Sequence, residues 1–256
     1  MKILICGKGG SGKSTISVLI AKNLKTMGYK VLLVDADESN FGLYGLLGIP
    51  PSATLIENLG GKKGAKKKLV ALFSNGKSPA LLTDDQKWKI RDIPDESVTD
   101  ANGIKLLVIG KIHNFGEGCA CAMGFVSKTF LSNLDIGDDE MVIVDTEAGI
   151  EHFGRRVEEG CDMILGIADP SYESFMLVKR IEEMGKKAGV PVSFILNKVD
   201  EAVEGAMSNH INMEKVIARI PKDNSVFMDS LEGRELKTNI PEIGHICKFI
   251  EDIKKK

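Results

Sequence analysis

The sequence lacks a long hydrophobic run, and no stretch of its 256 residues approaches the about 18 apolar residues that a membrane-spanning helix requires. Ahead of the first glycine-rich segment stand one lysine and a few apolar residues, which is far shorter than the apolar core of a secretion leader. The five cysteines are odd in number, which favours reduced thiols or metal ligands over a disulfide framework. These absences predict a cytoplasmic protein.

The chain also has few aromatic residues and a net charge close to zero. Aromatic side chains make up 5% of the chain and the formal net charge is −2, so no general attraction to nucleic acid or to an anionic membrane is expected. The lysine-rich run GGKKGAKKK at 60–68 is the exception. Because few aromatic residues accompany it, we interpret this run as a solvated or protein-docking surface and expect no nucleic-acid partner.

Strand and helix patterns alternate along the chain. Near-continuous apolar runs at seven places predict strands, and amphipathic segments between them predict helices. This alternation is typical of a parallel sheet covered on both faces. We therefore predict a single α/β domain over residues 1–256, with three layers and a mostly parallel sheet of about seven or eight strands. The predicted strands lie at 2–6, 31–37, 104–110, 141–145, 163–169, 192–199 and 216–221.

Residues 50–103 interrupt this alternation. The segment contains the whole lysine-rich run and the only tryptophan, Trp88. We interpret it as an irregular insertion that serves as a lid or a partner-docking surface.

A glycine-rich segment, GKGGSGKST, follows the first predicted strand directly and precedes a predicted helix. It fits the pattern G-x-x-x-x-G-K-[ST], in which glycines let consecutive N–H groups and a helix N-terminus face an anion. The segment therefore predicts a phosphate-binding loop of a P-loop NTPase, with Lys13 on the β- and γ-phosphates and Ser14 on Mg²⁺. The residues predicted to contact the nucleotide here are Gly9, Gly10, Ser11, Gly12, Lys13, Ser14 and Thr15.

A second lysine, Lys8, lies in the same loop. The pattern K-G-G-x-G-K-[ST] resembles the deviant phosphate loop of the ATPase class that includes MinD, ParA, the arsenite-pump ATPase and nitrogenase iron protein. The resemblance implies that Lys8 crosses a dimer interface and contacts the nucleotide of the partner subunit. A cation supplied in trans would offset the charge that develops on the transferring phosphoryl group.

The same resemblance gives roles to acids at the ends of two predicted strands. Asp37 ends VLLVDAD and would orient or activate the attacking water, whereas Asp145 ends MVIVD and would hold Mg²⁺ through water. Gly149 matches the segment that senses the γ-phosphate. The resemblance further implies an adenine pocket with Asn197, Lys198 and Pro221, in which an amide offers both a donor and an acceptor to the base.

Two cysteines form a C-x-C pair in GEGCACAMGF, namely Cys119 and Cys121. One pair supplies only two thiolates, so a closed tetrahedral site needs a second pair. Together with the two-lysine loop and the segment DTEAGIEH at 145–152, the pair resembles the CooC family of ATPases that mature nickel enzymes. The resemblance implies that Cys119 and Cys121 bind Ni²⁺ or Zn²⁺ between two subunits. It also implies ATP hydrolysis and a client such as carbon monoxide dehydrogenase or acetyl-CoA synthase.

Two alternatives remain open. An iron–sulfur carrier resembling nitrogenase iron protein would also share a metal centre between subunits, but its cysteines are widely separated in that family. A spatial-organisation ATPase resembling MinD would need an amphipathic membrane-binding terminus. The terminal segment HICKFIEDIKKK is short, and we expect its apolar face to pack on the sheet, so no membrane partner is predicted. His113, near the pair, is interpreted as an ordinary hydrogen-bonded histidine.

Overall fold

A mostly parallel sheet runs through the molecule. The computed structural model describes residues 1–40, 42–61, 64, 87, 89–112 and 121–255, and the side chains of residues 121 and 122 lie outside this description. The strands in these residues are β1 (Lys2–Gly7), β2 (Lys30–Asp35), β3 (Thr99–Ala101), β4 (Ile104–Val108), β5 (Glu140–Asp145), β6 (Met163–Ala168), β7 (Val192–Asn197) and β8 (Val216–Ile220).

The strand order is β3-β4-β2-β5-β1-β6-β7-β8. All neighbouring strands pair in parallel except β3 and β4, which are antiparallel. The inner strands are buried along nearly their whole length because helices cover both faces, which explains their continuous apolar sequences. The carboxyl ends of β1, β2 and β5 therefore meet at one edge of the sheet.

Helices lie on both faces of the sheet. Those in the described residues are α1 (Lys13–Thr26), α2 (Leu43–Leu47), α3 (Leu55–Asn58), α4 (Cys121–Asn133), α5 (Glu151–Gly154), α6 (Tyr172–Ala188), α7 (Glu201–Met207), α8 (Asn224–Leu231) and α9 (Pro241–Lys254).

Two hydrophobic clusters, one on each face, establish the three layers. Alternate residues of β1 contribute to opposite clusters: Ile3 and Ile5 pack with α1, α2 and α9, whereas Leu4 and Cys6 pack with α3, α4 and α6. This alternation follows from the two-residue period of a strand. The predicted three-layer α/β fold is confirmed.

The seven predicted strands correspond to β1, β2 and β4 to β8, within a few residues at their ends. The structure adds β3, which sequence reading missed because three residues are too short for an alternation pattern. The long helices were also predicted. In α6, for example, the Ser171 side chain accepts a hydrogen bond from the Ser174 N–H, and the helix ends at Gly189 with φ 72°.

Residues 50–103 fall partly inside the described part of the chain. They contain α3, two 3-10 turns and β3, and α3 begins with a capping box between Thr54 and Glu57. Residues 62–63, 65–86 and 88, with most of the lysine-rich run and Trp88, lie outside the described residues. The interpretation as a lid or docking surface stays a prediction.

The terminal helix α9 packs against α1. Its apolar residues Ile243, Ile246, Cys247 and Ile250 are at most 2% exposed. The apolar face is therefore covered by the protein itself, as expected. Among the described residues, every helix falls short of the length and apolar character that crossing a bilayer demands.

We predict that Ile246→Ala lowers the free energy of unfolding by about 2–5 kcal/mol, because it leaves a cavity between α9 and α1. Lys248→Ala on the exposed side of the same helix should change it by less than about 0.5 kcal/mol. Urea denaturation followed by circular dichroism measures both. Equal stability of the two variants would contradict the packing of α9 described above.

Candidate functional site

The phosphate loop connects β1 to α1 with the geometry that its glycines require. Gly12 has φ 101° and immediately precedes α1, and a Cβ at this position would collide with the Asn197 amide. Because Gly12 provides no side-chain cap, the first N–H groups of α1 remain available to an anion. The buried Ser11 hydroxyl has no hydrogen-bond partner among the described residues.

The two loop lysines have different partners. Lys13 is buried, and its Nζ donates a hydrogen bond to the Lys8 carbonyl at 3.3 Å. Lys8 Nζ lies 3.1 Å from Oδ2 of Asp169 at the end of β6. Asp169 also accepts a hydrogen bond from the Ser171 hydroxyl at 2.9 Å, which fixes the carboxylate at the start of α6. In a single chain the ammonium of Lys8 is therefore held by its own subunit.

Asp145 is fully buried where β5 ends, beside the start of α1. Its Oδ2 accepts a hydrogen bond from the Ser14 hydroxyl at 2.7 Å, and its Oδ1 accepts one from the Ser17 hydroxyl at 3.1 Å. The Asn40 amide donates to the Ser14 oxygen at 2.7 Å. Burial raises the pKa of Asp145 to about 6, although Ser14 and Lys13 favour the carboxylate. Sequence reading missed Ser17 and Asn40.

Asp37 lies in the turn after β2 and on the wall of the main cavity. Its Oδ1 accepts hydrogen bonds from the N–H of Ser39 at 2.9 Å, the hydroxyl of Ser39 at 2.7 Å and the N–H of Asn40 at 3.2 Å. These local bonds form an Asx-type turn that holds the carboxylate in place. Asp37 and Ser14 thus line the same space.

Asp35 and Lys111 form a buried ion pair behind Asp37. Lys111 Nζ lies 2.7 Å from Oδ2 of Asp35, and the two side chains are 2% and 1% exposed. Lys111 Nζ also donates hydrogen bonds to the carbonyls of Asp37, at 2.5 Å, and of Asn40. Burial raises the pKa of Asp35 to about 7, while Lys111 lowers it. Sequence reading missed Lys111.

Gly149 approaches the phosphate loop from the segment that follows the neighbouring strand β5. Its N–H donates to the Gly7 carbonyl at 3.1 Å, and the two glycines form an isolated antiparallel bridge. Gly149 has φ 92°, a conformation that other residues rarely adopt. The segment that follows Asp145 is thereby attached directly to the loop.

The main cavity has a volume of about 820 Å³. It runs from the phosphate loop to the carboxyl ends of β7 and β8, so a phosphate chain and a base could occupy its two ends. Asn197 donates from Nδ2 to the Ser11 carbonyl at 2.7 Å, and Lys198 Nζ donates to the Gly10 carbonyl at 2.7 Å. Both residues therefore support the loop as well as the cavity. The residues of the far end are Asn197, Lys198, Ile220, Pro221, Lys222, Asp223, Val226, Phe227, Ser230 and Ile240.

Phe227 is the aromatic residue of this wall. It projects from α8, is 53% exposed, and lies 5.7 Å from Lys222 Nζ, measured to the ring centroid. An exposed aromatic ring on a cavity wall has a face available for stacking. Sequence reading missed Phe227.

Cys119, like His113, lies outside the described residues, and Cys121 begins α4 with its side chain outside the description. Within the described part of the chain, no group of three or more His, Cys, Asp or Glu residues could hold a metal ion. The cysteines Cys6, Cys161 and Cys247 are free and buried, and they pack in the hydrophobic clusters as small core residues.

His152 follows the Gly149 segment and is 3% exposed. Neither ring nitrogen has a hydrogen-bond partner among the described residues, and burial lowers its pKa to about 3. The imidazole is therefore neutral, and its ring packs against Phe153 with centroids 4.4 Å apart.

The chain is similar to a known family of nucleotide-binding domains and to individual proteins of known sequence. Residues 2–236 match the family model described as the CobQ/CobB/MinD/ParA nucleotide binding domain. An uncharacterized ATP-binding protein of Methanocaldococcus jannaschii is 48% identical over 98% of this chain and 99% of that protein. The carbon monoxide dehydrogenase accessory protein CooC of Rhodospirillum rubrum is 32% identical over 88% of this chain and 85% of its own length.

Among solved structures, the septum site-determining protein MinD of Pyrococcus horikoshii, in complex with Mg-ADP, has the same fold. Its TM-score is 0.67 at 17% identity, over 98% of this chain and 96% of that one. The predicted P-loop ATPase class agrees with the family match and with the loop geometry. The chain belongs to the CobQ/CobB/MinD/ParA family of nucleotide-binding domains.

Proposed function

We propose that this protein is an ATP-dependent maturation factor that delivers nickel to a client enzyme. The observation that carries the proposal is the Cys119 and Cys121 pair, in a chain that is 32% identical to a carbon monoxide dehydrogenase accessory protein over most of both lengths. In this proposal, ATP binding joins two chains, and the ion held between them is cargo. The client is a nickel enzyme such as carbon monoxide dehydrogenase or acetyl-CoA synthase, and the setting is the cytoplasm.

Mg²⁺ fits the oxygen ligands at the start of α1. The Ser14 hydroxyl and the buried Asp145 carboxylate lie 2.7 Å apart and are the hard ligands that this ion prefers. When bound, Mg²⁺ would offset the charge of the β- and γ-phosphates. Ser14 would contact the ion directly, and Asp145 would hold one of its waters.

Three side chains would carry out the hydrolysis. Lys13, buried at the base of the cavity, would bind the β- and γ-phosphates, and Asp37 would orient or deprotonate the attacking water. Lys8 would reach the nucleotide of the partner subunit and stabilise the charge of the transition state. To do so, its ammonium must exchange the Asp169 carboxylate, 3.1 Å away, for a phosphate oxygen.

The base would bind at the far end of the cavity. The Asn197 amide uses one N–H on the Ser11 carbonyl, which leaves Oδ1 and the second N–H for the adenine edge. Pro221 and Phe227 line the same space and would pack on the faces of the ring. Gly149, attached to Gly7, would respond to the γ-phosphate.

The cargo site needs two chains. Each chain supplies two thiolates in the pair, whereas a closed tetrahedral site for Zn²⁺ takes four ligands. Ni²⁺ also accepts thiolates, in other geometries, so the ligand set is compatible with both ions. A two-fold axis through the pair would bring the four sulfurs together, and one ion per dimer follows.

A MinD-like role in spatial organisation is the second candidate, and the family match is compatible with it. The apolar face of α9 itself packs in the core against α1, so this helix does not offer that face to a membrane surface. An iron–sulfur carrier is disfavoured by the adjacency of the two cysteines.

We predict that Lys13→Ala abolishes ATP hydrolysis, because the variant loses the contact with the β- and γ-phosphates of the ATP bound to the same chain. Lys8→Ala should keep substantial ATP binding but lose ATP-dependent dimerisation, because its cation acts on the partner's nucleotide. Sedimentation velocity with ATP and with ADP measures the dimer fraction. Lys187→Ala, an exposed lysine near the end of α6, should behave as the wild type. Unchanged dimerisation of Lys8→Ala would exclude the role in trans.

We predict a stoichiometry near one Ni²⁺ or Zn²⁺ per dimer, because two pairs form one site. Cys119→Ser and Cys121→Ser should each lower the metal content severely, while Cys161→Ala, outside the pair, should retain it. Metal analysis of the dimer purified without oxygen measures all three. Tight binding by a monomer, or full metal content in both serine variants, would contradict the shared site.

We predict that Phe227→Ala weakens ATP binding roughly 5-fold or more, since stacking on an aromatic ring contributes about 1–3 kcal/mol per base. Met228→Ala is the matched control, because Met228 is 41% exposed on the same helix and is not among the cavity residues. Isothermal titration with ATP measures both affinities. An equal loss in the two variants would place the base elsewhere.

A further inference from the structure

The carboxyl end of β7 is fixed to the phosphate loop by two side chains. Asn197 donates from Nδ2 to the Ser11 carbonyl at 2.7 Å, and Lys198 Nζ donates to the Gly10 carbonyl at 2.7 Å. Both Asn197 and Lys198 line the main cavity. The residues that follow β7 therefore keep a defined position relative to a nucleotide whose phosphates bind the loop.

Asp200 lies beside the far end of this cavity. Lys198 has φ 61°, which residues other than glycine rarely adopt, and the chain turns here from β7 into α7. The N–H of Val199 donates to the carbonyl of Ile220, a wall residue of the cavity, at 3.2 Å. Asp200 follows Val199 directly, so its backbone lies at the rim of the cavity, next to the carboxyl end of β8.

One carboxylate oxygen of Asp200 holds the side chain in place. Its Oδ1 accepts a hydrogen bond from the Val203 N–H at 2.9 Å and thereby caps α7. In the part of the chain that the structure describes, Oδ2 takes part in no hydrogen bond or ion pair, and Asp200 is exposed. A serine or an asparagine would cap the helix equally well with a single oxygen. The second carboxylate oxygen is therefore left for a ligand at the rim.

Guanine and adenine present different atoms at positions 6, 1 and 2 of the ring. At position 6 guanine has a carbonyl acceptor and adenine an amino donor. The Asn197 amide can bond to either, because it keeps Oδ1 and one N–H beyond its bond to the loop. At positions 1 and 2 guanine has two neighbouring donors, whereas adenine has an acceptor and a carbon-bound hydrogen. A carboxylate only accepts hydrogen bonds, so it can pair with this edge of guanine and not with that of adenine.

We propose that the nucleotide site also binds guanine nucleotides, and that Asp200 recognises guanine by accepting hydrogen bonds from N1–H and the 2-amino group. Asn197 contacts the oxygen at position 6, and the group offered at the rim is the Asp200 carboxylate itself. Guanine nucleotides are then a second substrate class beside ATP. The inference rests on the nucleotide site of the proposed function and is independent of the nickel cargo.

The first test measures the affinity of the full chain for nucleoside diphosphates by isothermal titration with Mg²⁺. Diphosphates are chosen because they are not hydrolysed at the γ-phosphate and do not join two chains in the proposed function. We expect the dissociation constant of GDP to lie within roughly 5-fold of that of ADP. IDP, which lacks the 2-amino group, should bind roughly 5-fold more weakly than GDP, and CDP roughly 10-fold more weakly or worse.

The second test exchanges the acceptor at position 200 for a donor. Asp200→Asn should weaken GDP binding roughly 10-fold or more, because the amide offers one acceptor where guanine presents two donors. The same variant should bind XDP more tightly than the wild type does, since xanthine has a carbonyl in place of the 2-amino group and can accept the amide N–H. Asparagine caps a helix as well as aspartate does, so α7 keeps its start.

Two further variants separate recognition of the base from helix capping and from charge. Asp200→Ser keeps a capping oxygen but cannot pair with either edge, so it should lose GDP affinity without gaining XDP affinity. Glu201→Gln is the matched control for charge, because Glu201 is the next residue, is exposed and lies in the first turn of the same helix. Its affinities for GDP and XDP should equal those of the wild type.

Three results would overturn the inference: a wild type that binds ADP but not GDP, equal affinities for GDP, IDP and CDP, or a GDP affinity that is unchanged in both Asp200 variants. An equal loss of GDP affinity in Glu201→Gln would also contradict it, since the effect would then be one of charge alone. The first of these results leaves the proposed function standing. A chain that binds neither ADP nor GDP would overturn both, whereas GDP recognition by a chain without Ni²⁺ or Zn²⁺ in its dimer would support the inference and contradict the proposed cargo.

Discussion

The structure depends on the burial of two carboxylates side by side. Asp35 and Asp145 end adjacent parallel strands, are partners in the β2 and β5 register, and are at most 1% exposed. Buried carboxylates are unfavourable unless they are paired or hydrogen-bonded. Lys111 meets this requirement for Asp35, and the hydroxyls of Ser14 and Ser17 meet it for Asp145. Each of these two sets of contacts holds a different part of the nucleotide site in place.

The Asp145 contacts fix the start of α1, and with it the phosphate loop. The Asp35 contacts fix the turn that carries Asp37, because the same ammonium of Lys111 also holds the carbonyls of Asp37 and Asn40. Both carboxylates have raised pKa values, since burial outweighs their partners. Mg²⁺ and the phosphates of ATP would add charge beside Asp145 and alter this balance. The nucleotide therefore acts beside two buried carboxylates whose pKa values are already raised.

Most of the fold could be predicted from the sequence because its signals are local. The inner strands are short apolar runs, the phosphate loop is a contiguous motif, and long helices such as α6 have a capping serine and a terminal glycine. Strand β3 was missed because three residues carry no periodicity. The short helices were missed for the same reason.

The contacts around the site could not be predicted, because they join residues distant in the chain. Lys111 and Asp35 are 76 positions apart, and Ser17 and Asp145 are 128 positions apart. In the sequence, Lys111 is simply a lysine after a strand and Ser17 a serine within a helix, and neither pattern indicates a buried carboxylate partner. Only the sheet order, which places β2 between β4 and β5, brings Lys111 to Asp35.

The central claim is that each nucleotide site is completed by the partner's Lys8, and mixing two defective variants tests it most directly. Lys8→Ala keeps Asp37, whereas Asp37→Asn keeps Lys8, so a mixed dimer contains one complete site. A mixture of the two should hydrolyse ATP faster than the sum of the separate variants, because each mixed dimer holds one site with both Asp37 and the partner's Lys8. A mixture no more active than the sum of its separate variants would contradict the account.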